Sequence, residues 1–124
     1  MHRYMSATVL SLFMLSCKSS DHNTPAASAT VDGELQRVDI HATEKGFEPS
    51  EVHFLQGSKA IMVFERVTEL ECVNAVRMPW RREVYDLPLN ETVEIEIPDT
   101  SKPGTFTYAC WMNMRFGQVF IDPP

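Results

Sequence analysis

Between Leu35 and Asp122 the chain is a succession of short runs in which apolar and polar residues alternate, each closed by a turn signal. "RVDIHA" sets Val38 and Ile40 against Asp39 and His41, and "TVEIEIP" sets Val93, Ile95 and Ile97 against Glu94 and Glu96. "EVHFL" stops at Gln56-Gly57, and "AIMVFERV" follows. After Gly104, "TFTYAC" puts Phe106, Tyr108 and Cys110 on one face, and "GQVFID" closes the chain. A β-strand turns successive side chains to opposite faces, so period-two runs demand sheets with one buried side. Turn signals about every eight to twelve residues then point to an all-β sandwich or barrel of about seven to eight strands. No stretch beyond the first residues carries a helical stripe.

The rest of the composition limits what such a fold can serve. At 124 residues and 44% hydrophobic content there is room for one small core and no second domain. A net charge of −6 excludes nucleic acid as a natural partner, since that role calls for a basic face. Residues 1–16 read as a signal peptide: Arg3 gives a basic start, and "SATVLSLFML" is too short to span a bilayer. The segment ends Leu15-Ser16-Cys17, which resembles the lipobox of bacterial lipoproteins, with Cys17 as the lipidated residue. Residues 17–34, rich in Ser, Thr, Ala, Asp and Asn, read as a flexible tether, and residues 35–124 as the folded domain. The expected location is the periplasm, anchored to a membrane through lipid, with Lys18 after the cysteine favouring the outer membrane.

With Cys17 assigned to lipid, Cys72 and Cys110 remain as a pair in an oxidising compartment. They can close a loop of 38 residues as a disulfide, which stabilises a fold by about 4 kcal/mol on the chain-entropy estimate. They can equally serve as thiolate ligands. Met112 and Met114 follow Cys110 at alternate positions, and four sulfurs of this kind select a soft ion, above all Cu(I). Thioethers bind without deprotonation and stay useful outside the cytoplasm. Each methionine also has an ordinary role as core filler, as Met62 and Met78 do in strand-like runs. His41 and His53 sit in alternating strands, and no nucleophile and base show a recognisable catalytic spacing, so no enzyme activity is expected.

"GFEPSEVHFLQG", "ECVNAV", "LPLN", the Pro103-Gly104 turn and "YACWMNMRFGQVFID" together resemble the cupredoxin-like domains of bacterial copper-handling proteins, over residues 37 to 122. The resemblance implies a cupredoxin-like Greek-key β-sandwich. In that family the first metal ligand lies in the strand that here contains Cys72, and the others lie in the loop from Cys110 to Gly117. Plastocyanin-type members use two histidines there. Cys72 stands where the first would be, and no histidine lies between Cys110 and Gly117. The pattern is instead similar to a subgroup with a Cys-x-Met-x-Met ending, found in periplasmic copper-binding proteins and attached to copper-transporting ATPases.

The expected site is therefore Cys72, Cys110 and Met114 around one Cu(I), with Met112 as a fourth or exchange ligand. Residues two apart in an extended strand lie about 6.5 Å from each other, so the loop must curl after Cys110. Asn74 resembles the family's polar residue that pins the ligand strands together, Trp111 is expected to pack facing away from the sulfurs, and Phe116 to cover the loop. The implied partner is a copper-transport or copper-accepting protein. Competing readings are a metal-free module closed by a Cys72–Cys110 disulfide, and a copper electron-transfer protein.

Overall fold

The computed structural model describes residues 26–32 and 35–124. Eleven strands and one turn of 3-10 helix account for its regular structure: β1 (Ala26–Ser28), β2 (Thr30–Asp32), β3 (Leu35–Thr43), β4 (Gly46–Glu48), β5 (Glu51–Leu55), β6 (Lys59–Arg66), the 3-10 turn (Glu71–Val73), β7 (Ala75–Arg77), β8 (Tyr85–Asp86), β9 (Thr92–Glu96), β10 (Gly104–Cys110) and β11 (Phe116–Asp122). The count exceeds the expected seven to eight because several strands, such as β1, β4 and β7, are only three residues long.

The strands form two mixed sheets. One runs β1-β5-β11-β10-β7-β8, and the other β2-β3-β6-β9 with β4 paired to β3. β5 lies parallel to β11 and β3 parallel to β6, and the chain reaches each partner by crossing through the opposite sheet. The alternation in the sequence explains the layering. In β3, Val38, Ile40 and Ala42 are buried while Asp39 and His41 face solvent. Opposite them, Val52, Phe54, Tyr108, Val119 and Ile121 line the inner face of the other sheet. Met62 and Met78 are buried in this core, as their surroundings in the sequence suggest.

Two features tie the sheets together. At one end the buried Gln36 amide donates to the Leu55 carbonyl at 2.8 Å and accepts from the Leu55 N–H at 2.7 Å, so both its polar atoms are satisfied by one residue of the facing sheet. Deeper in, Phe47, Phe64 and Tyr108 pack edge to face. The Tyr108 ring occupies the space above Gly117, its register partner: a Cβ at Gly117 would lie 2.1 Å from the ring. Gly117 is required for lack of room, and its φ is not in the left-handed region.

The N-terminal boundary differs from the expected one. β1 pairs with β5 and β2 with β3, so the folded unit includes residues 26–32 of the expected tether. Ala27 and Ala29 pack against the core with little apolar mass, which is why composition read this stretch as tether. The signal peptide, Cys17 and the first part of the tether lie outside the described residues.

Candidate metal centre

Cys72 lies in the 3-10 turn, not in a strand as expected, because Val73 N–H and Asn74 N–H bond back to the Leu70 and Glu71 carbonyls and close the backbone on itself. Cys110 is the last residue of β10, on the inner face it shares with Tyr108. The two sulfurs come from segments 38 residues apart and meet at 2.7 Å as free, buried thiols. The chain curls directly after Cys110. Cys110 N–H donates to the Arg115 carbonyl at 2.9 Å and Asn113 N–H to the Cys110 carbonyl at 2.9 Å. Asn113 supplies the reversal with φ of +55°, a conformation asparagine tolerates.

That curl aims main-chain donors at one sulfur. The N–H groups of Met114 and Arg115 reach Cys110 Sγ at 3.2 and 3.3 Å. Burial alone would raise the Cys110 thiol, but the hydrogen bond from Cys72 and the N–H groups of Met114, Arg115 and Met112 outweigh it and hold Cys110 below its ordinary value. Cys72 moves the other way, pushed up to about 11 by burial first and then by its bond to, and the charge of, Cys110. Of the pair, Cys110 is the more readily ionised and Cys72 the one that keeps its proton longer.

The methionines are not core. Met112 is 44% exposed and Met114 59% exposed, on the loop that wraps the Cys110 sulfur. Alternation along an extended strand would have put them beside Cys110 on the inner face, but β10 ends at Cys110 and the turn swings them outward. Both thioethers are thus exposed on the loop whose main chain wraps the buried Cys110 sulfur.

Trp111 holds the ligand segments together by a route the sequence did not reveal. The Trp111 indole N–H donates to the Glu71 carbonyl at 2.9 Å, and its main-chain N–H to the Ala75 carbonyl at 3.1 Å, so it spans from the loop to both ends of the Cys72 turn. Arg77 Nε in turn donates to the Trp111 carbonyl at 3.2 Å. An indole N–H needs a partner, which was the available signal that Trp111 does more than pack. Asn74, expected to pin the ligand segments together, instead ties the Cys72 turn to the segment after β8: its main-chain carbonyl accepts from Leu87 N–H at 2.8 Å. Phe116 opens β11 on the face opposite Gly117 and Val119, and so lies on the outer side of the sheet whose inner side carries Cys110.

His53 bonds Asp122 at 2.8 Å and stacks on Phe120, while His41 is exposed on β3. Among the described residues there is no cluster of three or more His, Cys, Asp or Glu side chains that could hold a metal. Met112 and Met114, on the loop whose main chain wraps Cys110 Sγ, are the further soft donors nearest the thiol pair in sequence. The donor set fits a soft monovalent ion and suits neither the oxygen-seeking cations nor a two-imidazole centre.

No protein-family model and no curated protein matches the chain. Solved structures do. The metal-binding domain of the Streptococcus pneumoniae Cu(I)-exporting P-type ATPase CopA, determined with Cu(I), superposes with a TM-score of 0.71 at 21% identity, covering 80% of this chain and 97% of that one. A copper-binding protein in its apo form gives a TM-score of 0.68 at 24% identity, covering 77% and 95%. A rusticyanin variant gives 0.56 at 11% identity, covering 84% and 85%. The fold is the cupredoxin-like β-sandwich that these proteins share.

Proposed function

We propose that this protein binds one copper ion as Cu(I) through Cys72, Cys110 and Met114, with Met112 as a fourth or exchange ligand, and serves copper delivery, storage or detoxification in the periplasm. One observation carries the proposal: two free buried thiols meet beside a loop that presents two thioethers to solvent. Copper binding by proteins that share the fold supports the choice of metal.

The residues have distinct tasks. Cys110, the more readily ionised of the two, offers the first sulfur, and Cys72 gives up its proton as the ion binds. Because the fold fixes the Cys72 turn against the Cys110 loop through Trp111, both sulfurs are positioned before metal arrives. The exposed methionines let a sulfur-bearing partner compete for the ion without unfolding the core, which suits transfer to a copper-accepting protein. The lipid at Cys17 would keep that exchange at a membrane surface.

The test is a Cu(I) competition against a colorimetric chelator with Cys72→Ser, Cys110→Ser and Met114→Leu. Loss of either thiol should weaken binding by more than about 100-fold, beyond the effect of losing a group that only orients a ligand. Unchanged affinity in all three would overturn the proposal. The same two sulfurs also suit a metal-free module closed by a disulfide, and a thiol count on the exported protein separates the cases, since a disulfide leaves none.

A further inference from the structure

The four methionines of residues 35–124 fall into two pairs with opposite surroundings. Met62 and Met78 are 0% and 2% exposed and belong to the core between the sheets. Met112 and Met114 are 44% and 59% exposed, in the turn between β10 and β11. Cys72 and Cys110 are buried. Among the described residues, the sulfurs open to solvent are therefore the two thioethers of this one turn.

Exposure decides how a thioether meets an oxidant. A two-electron oxygen donor such as hydrogen peroxide transfers one oxygen atom to sulfur: the O–O bond breaks, a sulfur lone pair forms the S–O bond, and the second oxygen leaves as water. The product is methionine sulfoxide, which methionine sulfoxide reductases return to thioether. The lone pair consumed is one that a soft ion uses, and the sulfoxide offers a harder, polar oxygen in its place. The turn itself does not depend on the methionine side chains. Cys110 N–H on the Arg115 carbonyl, Asn113 N–H on the Cys110 carbonyl, and the N–H groups of Met114 and Arg115 on Cys110 Sγ hold it through the main chain. Oxidation at Met112 or Met114 therefore alters a donor and leaves the turn in place. The same reaction at Met62 or Met78 would put a polar oxygen into the core.

We propose that Met112 and Met114 form a reversible oxidation site, at which a peroxide converts the exposed thioethers to sulfoxides and thereby lowers the protein's hold on Cu(I). The effect on copper rests on the copper-binding reading above and adds the condition that unloads the site. The place of oxidation stands on burial alone.

The experiment treats the metal-free full chain carrying Cys17→Ser with a limiting dose of hydrogen peroxide, then with dithiothreitol, which returns a disulfide or sulfenic acid to thiol and leaves sulfoxide in place. Three quantities are read: sulfoxide at each methionine by peptide mass mapping, the Cu(I) dissociation constant by chelator competition, and the thermal melt. Sulfoxide should form at Met112 and Met114 about tenfold faster than at Met62 and Met78, with the melt unchanged. Cu(I) binding by the oxidised chain should weaken about tenfold, and treatment with the two methionine sulfoxide reductases, one for each epimer, should restore it. The chain with Met112→Leu and Met114→Leu should lose no further affinity under the same treatment. Equal rates at all four methionines would overturn the proposal. So would an oxidised chain with both thiols intact that holds Cu(I) as tightly as the parent, a lowered melt at the dose that oxidises Met112 and Met114 alone, or further loss in the double variant. A parent chain that takes no Cu(I) would sink the copper reading and the unloading with it, and the sulfoxide map would still show where oxidation falls.

Discussion

The indole N–H of Trp111 donates to the carbonyl of Glu71 at 2.9 Å, joining the loop that follows Cys110 to the turn that carries Cys72. A single side-chain bond thereby fixes two segments of remote sequence in the geometry a two-sulfur site needs. Trp111→Phe keeps an aromatic ring and removes the donor. It should cost about 1 kcal/mol of unfolding free energy, the ordinary worth of one hydrogen bond. Cu(I) affinity should fall about tenfold, as when a partner that orients a ligand is lost. Urea unfolding and chelator competition on the same samples check both numbers.

Met112 and Met114 separate binding from packing. Both are exposed, so leucine at either position should change stability by less than about 0.5 kcal/mol. The double substitution should nevertheless weaken Cu(I) binding measurably, with Met114→Leu the more damaging single change. Stability loss without affinity loss would return the methionines to a structural role.

Copper affinity should depend on pH through Cys72. Its thiol is held up to about 11 by burial and by Cys110, so the ion must displace a proton at any lower pH. Cys72 releases at least one proton per ion, so the apparent affinity rises at least about tenfold for each pH unit until Cys72 ionises by itself. Competition at pH 6, 7 and 8 gives the slope. A flat profile would show that Cys72 is not deprotonated on binding.

Tyr108 makes a second pH effect, on stability. Burial raises its hydroxyl well above the ordinary value of 10.0, and the hydroxyl is buried without a hydrogen-bond partner. The folded state therefore keeps a proton that the unfolded chain loses near pH 10. The stabilising contribution is complete below that pH and falls by about 1.4 kcal/mol per unit as pH rises toward the folded value. Tyr108→Phe should remove this alkaline slope, and at pH 7 it should be neutral or slightly stabilising, since it deletes an unsatisfied buried group. Denaturant midpoints at pH 7 and pH 11 compare the two proteins.

Much of this architecture was legible as alternation. Val38, Ile40 and Ala42 on β3 and Val119 and Ile121 on β11 are buried where period two put them, because half-buried strands leave no other choice. The strands at 26–32 were not, since alanines and threonines carry too little apolar contrast to mark a face. For the site, the residue types could be named from sequence, but not their approach. Nothing in the spacing of Cys72 and Cys110 states that a 3-10 turn and a strand end bring them to 2.7 Å. The outward turn of Met112 and Met114 depends on Asn113 adopting a left-handed conformation, a local choice that breaks the strand's own rule. Trp111 acts through a group that pattern reading passes over, an indole N–H.

The proposed copper site stands on whether the Cys72–Cys110 sulfur pair takes Cu(I). The most direct measurement is a Cu(I) titration of the reduced full chain carrying Cys17→Ser against a colorimetric chelator, with free thiols counted before and after. One equivalent withdrawn from the chelator, with both thiols free at the start and protected from alkylation at the end, is the predicted result. No competition, with Cys72 and Cys110 found joined to each other, would contradict it.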